Sequence, residues 1–567
     1  MRYLAMASDY DGTLAEHGSV SEETISALRV FRQSGRKLIL VTGRELTDLL
    51  KVFAHTDLCD CIVAENGAVL YWPTTREKRA LGPTPPEQFI NLLLQRGVQP
   101  LGVGDVIVAT WHPNENIVLE AIRELGLELQ VIFNKGAVMV LPAGINKQSG
   151  LAAALNAMGI SQHNVVGVGD AENDHAFLNY CECAIAVTNA LPAVKASVDI
   201  VTEGDHGVGV RQVIDRILAD DLVGWEPNLE RRSILLGHEC EAQVLLRPYG
   251  AVILIAGSSG SGKSTFVTAL LEQLAEKQYQ YCLIDPEGDY DRLPGIVTFG
   301  DANHAPARDQ VAQALQKPDT QVIVNLLGLG LEDRPNFFSA LLAELAQIRM
   351  QTGRPHWIII DEAHHMLPRD WVRGSVALMD RFNNIILITV HPAHVAPAAL
   401  QRVNVIVAIG ESQENVLQDF SRLTGSTIPG PMEISGARGS LVWTRDTQQI
   451  RHVALISPRI ERQRHRRNYA IGEVGEDHSF YFRGPEAKLN LRAQNLMLFL
   501  QIAEGVDDQT WEFHLRNGDY SRWLRDAIKD NELAAEVQEI EKNVTVDPHL
   551  SKDRVRNAIQ RRYTVSA

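Results

Sequence analysis

Two stretches of this sequence hold residues whose types and spacing could handle phosphate. In the first, 8-SDYDGTL-14, Asp9 and Asp11 lie two positions apart where an apolar segment gives way to a glycine turn. Alternation along an extended chain puts both carboxylates on one side. Three later pieces follow in order: 40-LVTGR-44 presents Thr42 before Gly43, 141-LPAGINKQSGL-151 places Lys147 at a helix head, and 167-GVGDAENDHAF-177 supplies Asp170 and Asp174 around a tight turn. A carboxylate can attack phosphorus to give an aspartyl-phosphate. That chemistry needs Mg²⁺ held by carboxylates, a proton donor for the leaving group, and a hydroxyl and an ammonium on the phosphoryl oxygens.

The second stretch, 257-GSSGSGKST-265, satisfies G-x-x-x-x-G-K-[ST]. Backbone N–H groups along Gly257, Ser258, Ser259, Gly260, Ser261 and Gly262 wrap phosphates; Lys263 reaches the β and γ phosphates of ATP, and Ser264, with Thr265 beside it, ligates Mg²⁺. Further on, 356-HWIIIDEAHH-365 ends an apolar run in Asp361, a Mg²⁺ partner, and Glu362, placed to polarise a water for hydrolysis.

The elements that must position these groups are legible around them. Apolar runs at Leu4–Ser8, Lys37–Val41, Cys61–Ala64, Val165–Val168 and Ala184–Val187 alternate with amphipathic segments, the pattern of a parallel, doubly wound sheet. A second series begins at Ala251–Ala256 and continues through Tyr281–Ile284, Val322–Asn325, Trp357–Ile360, Ile385–Val390 and Val405–Ile409. In open sheets of this kind ligands bind at the carboxyl ends of strands, where all these motifs fall. The expected architecture is α/β: two doubly wound parallel-sheet domains at 1–218 and 219–457, the first with a small cap at about 75–135, then an Arg-rich linker at 458–475 and a helical C-terminal module at 476–567.

The first motif set resembles the haloacid dehalogenase phosphatases over residues 1 to about 212, and the cap insertion with 65-ENGA-68 before it resembles their type IIB subfamily. The resemblance implies Asp9 as nucleophile, Asp11 as general acid/base, and Thr42 and Lys147 as phosphoryl holders. It also implies Mg²⁺ on Asp9, Asp11 (through its carbonyl) and Asp170, supported by Asp174 and Asn173, and a small phosphorylated substrate. The second set, with 283-LIDPEGDY-290 and 388-ITVHPAHVAPAALQRVN-404, resembles HerA/FtsK-type ATPases over about 230–457. Those are usually hexameric motors that translocate DNA or protein. Where that family carries a Gln after its sensor Thr or Ser, Thr389 is followed here by Val390 and His391, so His391 becomes the candidate γ-phosphate sensor.

Composition narrows the partners. The 567 residues suggest about three or four domains. With 45% hydrophobic and 22% charged residues the chain is not a disordered one. No apolar run spans a bilayer and no signal-peptide core precedes Asp9, so a cytoplasmic location without membrane contact is expected. The six cysteines are too sparse for a disulfide framework. The net charge of −16 argues against extended DNA wrapping. Six arginines lie between Arg451 and Arg467, without the interleaved aromatics that stacking on single strands would use. Two functions follow. The favoured one is a phosphatase for a small phosphomonoester, of the sugar phosphate or phosphoglycolate kind, regulated by an ATP-binding and ATP-hydrolysing domain. The alternative is a DNA-dependent translocase with a nucleic-acid-end or nucleotide phosphatase, for which a homo-oligomer such as a hexamer would be needed.

Overall fold

A computed structural model describes residues 2–290, 293, 295–371, 382–429, 439–459, 479–485, 488–528, 530–542 and 547–563. The chain forms two compact units, Met1–Pro458 and Arg459–Ala567.

The first unit holds two large sheets. Its N-terminal part contributes β1 (Ala5–Ser8), β2 (Lys37–Val41), β3 (Cys61–Ala64), β4 (Val69–Trp72) and β5 (Glu77–Ala80), then β6 (Gly102–Val103), β7 (Val108–Trp111), β8 (Leu129–Asn134) and β9 (Ala137–Pro142), and finally β10 (Val165–Gly169), β11 (Cys183–Ala186) and β12 (Ile200–Val201). The main sheet runs β12-β11-β10-β1-β2-β3-β4-β5, parallel from β12 to β3. β1 and β10 are buried along their whole length, which is why they read as continuous apolar runs. The helix Glu22–Gln33 starts where the Ser21 side chain accepts the Thr24 N–H, carries Glu22 and Glu23 in its first turn, and buries Ile25, Leu28 and Phe31 on one face.

The cap is a four-stranded antiparallel sheet, β6-β7-β9-β8, packed on helices Glu87–Gln95 and Glu115–Glu124. It is displaced from the expected 75–135 at both ends. β5 stays with the main sheet, as an exposed hairpin arm on β4, and β9 belongs to the cap, where it pairs with both β7 and β8.

The second sheet is built from β13 (Ile234–Glu239), β14 (Ala242–Leu246), β15 (Val252–Ala256), β16 (Tyr281–Asp285), β17 (Val297–Phe299), β18 (Val322–Asn325), β19 (Trp357–Ile360), β20 (Ile385–Thr389), β21 (Val405–Ala408), β22 (Ser440–Thr444) and β23 (Gln449–Leu455). Their order is β14-β13-β23-β22-β21-β15-β20-β19-β16-β18-β17. The strands from β21 to β17 are parallel, as expected, whereas β22, β23, β13 and β14 extend that edge as an antiparallel block. β14 alternates exposed and buried residues, so its half-solvated sequence does not read as an apolar run.

The two sheets meet through buried polar groups. The helix Lys263–Glu276 leads into Lys277, whose carbonyl lies 2.7 Å from His163 Nε2, while His163 Nδ1 lies 2.6 Å from Glu182. His163 therefore links the two sheets through both ring nitrogens. His163 also stacks on Tyr279 at 3.8 Å between centroids, and Tyr279 donates to Glu182 at 3.0 Å. Gln162 donates to Gln278, and Arg354 donates to the Gly159 carbonyl.

In the second unit, β24 (Phe480–Phe482) and β25 (Leu491–Ala493) form an antiparallel pair. Five helices follow, Leu496–Gly505, Asp508–Arg516, Asp519–Asp526, Asn531–Lys542 and Pro548–Tyr563. The segment expected to be helical from Leu489 to Ala503 begins without helix and forms the strand Leu491–Ala493. Asn495 then starts the helix by accepting the Leu498 N–H. Phe480, Phe482, Phe499, Trp511, Tyr520 and Trp523 form the core. Apart from its first residues, the Arg-rich linker at 458–475 lies outside the described residues.

Candidate functional site

The strand register assembles the phosphate chemistry. Ser8 pairs with Val168 on one side and with Leu40 on the other, so Asp9 emerges at the sheet edge between Asp170 and Thr42. Asp9 is 4% exposed and Lys147 is 1% exposed. Lys147 enters from the first turn of a helix whose start is fixed by a reciprocal cap between Asn146 and Ser149. Its ammonium donates to Asp9 Oδ1 and to Asp174 Oδ1, each at 2.5 Å. Asp174 Oδ2 accepts the backbone N–H groups of Asp170 and Ala171 at 2.9 Å, and Asp170 Oδ1 accepts the Thr13 hydroxyl.

Thr42 is buried, and its hydroxyl oxygen accepts the Arg44 N–H, which leaves the hydroxyl proton to donate. Asp11 is 42% exposed at its side chain and is gripped by Arg44 through two bonds of 2.7 Å, while Arg44 also donates to Asp48. Asn173 donates to Asn66 rather than to an acid. Gly12 is left-handed (φ +88°), and a Cβ there would stand 2.5 Å from Asp170 Oδ2, so the turn between Asp9 and Thr13 requires glycine.

One ligand atom from each of Asp9, Asp170 and Asp174 lies within 4.8 Å of the others. Burial, then Asp174, pushes the Asp9 carboxyl well up, against the pull of Lys147. Burial opposes the charge on Lys147, but Asp174 and Asp9 outweigh it and hold the ammonium protonated. Three buried carboxylates thus outnumber the one buried ammonium. An oxygen-only donor set with excess negative charge suits a hard divalent cation such as Mg²⁺. The Asp11 carboxylate is outside this cluster.

The nucleotide motif sits between β15 and the helix Lys263–Glu276, with Gly260 and Gly262 left-handed. A Cβ on Gly257 would meet the Ile409 carbonyl at 2.1 Å, so the loop packs flat on the neighbouring strand. Ser258, Ser259 and Gly260 are exposed at the crest of the loop, Ser261, Ser264 and Thr265 are half-buried, and Lys263 donates to the Gly257 and Ser258 carbonyls at 2.9 Å. A cavity of about 380 Å³ opens beside the loop, lined by Gly257, Ser258, Ser259, His391, Ser412 and Asn415 among others.

Asp361 ends β19 and is pushed up to about 8 by burial, then by Asp285 and Glu362. The Asp285 carboxylate accepts the Tyr290 N–H, so the 285–290 turn is folded beside the acids. The sensor strand β20 lies between β15 and β19, and Thr389 Oγ1 accepts the His391 N–H. Thr389 also bonds His364 Nδ1 at 3.1 Å, and that nitrogen lies 3.3 Å from Glu362 Oε2.

Four residues of these sites were not singled out from the sequence: Arg44, Lys135, Glu65 and His364. Arg44 directly follows Thr42-Gly43, and Glu65 opens the quoted ENGA. That Glu65, buried, accepts the N–H groups of Asp105, Val106 and Ile107, and so pins the β6–β7 turn of the cap, is visible only in three dimensions.

Fold and site together define a phosphomonoester hydrolase joined to a P-loop ATPase domain. The sequence model of the haloacid dehalogenase-like hydrolases matches residues 6–115 and 114–214, and that of the AAA domain matches 247–397. The chain is 31% identical over 231 residues to a phosphoglycolate phosphatase of Methanothermobacter thermautotrophicus, a match covering 39% of this chain and 99% of the relative. It is 28% identical over 222 residues to phosphoglycolate phosphatase 2 of Saccharolobus solfataricus, covering 38% and 93%. A solved haloacid dehalogenase-like hydrolase from Bacteroides thetaiotaomicron aligns over 38% of this chain and 99% of its own, at 18% identity and a TM-score of 0.34. The chain belongs to the haloacid dehalogenase-like hydrolases. Among the described residues, no helix is long and apolar enough to cross a membrane.

Proposed function

We propose that the chain is a Mg²⁺-dependent phosphatase of a small phosphomonoester, of the phosphoglycolate or sugar phosphate kind, working through an aspartyl-phosphate on Asp9. The observation that carries this reading is the convergence of Asp9, Thr42, Lys147, Asp170 and Asp174 at one sheet edge. Asp9 attacks phosphorus. Lys147 and the Thr42 hydroxyl hold the phosphoryl oxygens, and Asp11, once out of its two-bond pair with Arg44 and protonated, gives its proton to the leaving oxygen. Bound on Asp9, Asp170 and Asp174, Mg²⁺ supplies charge neutralisation between nucleophile and phosphate.

The P-loop domain, in this reading, binds and hydrolyses ATP and regulates the phosphatase. Support comes from the shared junction. The helix leaving the P-loop ends against His163, two residues before β10, and Asp170 directly follows β10. The test is phosphate release from small phosphomonoesters with and without Mg²⁺ and ATP. Asp9→Asn abolishes release and leaves ATP binding intact; sustained turnover in that variant refutes the assignment.

A further inference from the structure

The β8–β9 hairpin of the cap closes through Lys135 and Gly136, both left-handed, at φ +48° and +88°. Such two-residue turns favour Asn-Gly or Gly-Gly, and a lysine at the first position is strained there. Its side chain reaches across to the phosphatase site while staying partly in solvent. Lys135 Nζ donates to Asp170 Oδ2 at 2.6 Å and stands 2.8 Å from where a Cβ on Gly12 would be. The side chain is 46% exposed, whereas the other ammonium at the site, Lys147, is enclosed and already bonded to Asp9 and Asp174.

Near it the cap brings Met139, whose Sδ would lie 3.5 Å from a Cβ on Gly43, and Trp111, whose ring would lie 4.0 Å from a Cβ on Gly136. The phosphoryl group is served by Thr42, Lys147 and the acidic cluster without help from the cap. An ammonium has three N–H donors, and among the described residues Asp170 takes one of those on Lys135. The remaining two have no partner among the described residues, and the ammonium stands beside Gly12 in the turn that follows Asp9.

We propose that Lys135 is a specificity residue that recognises a second anionic group, a carboxylate, on the leaving-group side of the substrate. The preferred class is then phosphorylated small hydroxy acids rather than phosphorylated neutral sugars. This rests on the phosphatase reading of Asp9. A carboxylate replaces water on the ammonium by a charge-assisted bond, which a neutral hydroxyl matches less strongly.

The test compares kcat/KM for 2-phosphoglycolate, glucose 6-phosphate and p-nitrophenyl phosphate in wild type, Lys135→Met and Lys135→Gly. Glycine suits the left-handed turn, so that variant removes the ammonium without stressing the hairpin. Both variants are expected to lose about tenfold to a hundredfold more on 2-phosphoglycolate than on the other two substrates, with the extra loss mainly in KM. Equal losses on all three substrates, or no loss on 2-phosphoglycolate, overturn the proposal while leaving the phosphatase reading in place. Absence of wild-type turnover on every substrate would instead overturn the phosphatase reading itself.

Discussion

Glu182 offers a measurable handle on the junction between the two sheets. Its side chain is 1% exposed and its carboxylate meets His163 at 2.6 Å and Tyr279 at 3.0 Å, with Arg2 at 3.6 Å and Arg232 at 3.7 Å. Burial alone would push this carboxyl up. His163, followed by Arg2 and Arg232, overcomes burial and brings it from 4.5 down to about 2. At about 1.36 kcal/mol per pH unit this corresponds to about 3 kcal/mol of stability. A carboxyl depressed in the folded state contributes fully above its unfolded value and loses that contribution as pH falls through the folded one. The contribution is therefore complete above about pH 4.5 and gone below about pH 2.

Glu182→Gln keeps the shape and removes the charge. In urea unfolding followed by tryptophan fluorescence, the variant is expected to be about 3 kcal/mol less stable at pH 7. The gap between variant and wild type should narrow steadily as pH is lowered from 5 towards 2. Groups away from the junction titrate alike in both proteins and cancel in the difference. A gap that stays constant with pH, or no gap at pH 7, refutes the assignment of Glu182 as the charged centre of the junction.

Two further outcomes follow from the same geometry. Lys147→Met leaves Asp9 and Asp174 without their shared cation and is expected to lower phosphatase kcat by about 10²–10³, with ATP binding, measured by fluorescent-nucleotide titration, unchanged. Lys263→Ala removes the cation of the nucleotide loop. ATP with Mg²⁺ should raise the melting temperature of the wild type and leave that of the variant unmoved, while phosphatase activity without ATP stays at the wild-type level.

The parallel strands and their catalytic ends were readable because strands buried on both faces are written as unbroken apolar runs, as in β2 and β15, and each motif follows such a run directly. The antiparallel edge of the second sheet was not readable. β13 and β14 carry His238, Glu239 and Gln243 on solvated positions, and a charged stretch of that kind resembles a connector. In the first site, Asp9, Thr42, Lys147, Asp170 and Asp174 could be named from local sequence, since each sits in its own turn. Lys135 could not, because its role depends on a hairpin carrying it across to Asp170. Nor could His364, an undistinguished letter of DEAHH until β20 places Thr389 beside it. His163, Glu182 and Tyr279 are isolated polar residues in sequence, and only the meeting of two sheets brings them together.

The central claim is that Asp9 takes the phosphoryl group covalently. Enzyme mixed with substrate and Mg²⁺, quenched in acid within a turnover and digested, can be read by mass spectrometry at the peptide spanning Asp9. The account predicts that this peptide carries the mass of one phosphoryl group, which hydroxylamine removes, and that Asp9→Asn carries none and releases no phosphate. An unmodified Asp9 peptide during steady turnover, or a phosphoryl group found on another residue, would contradict it.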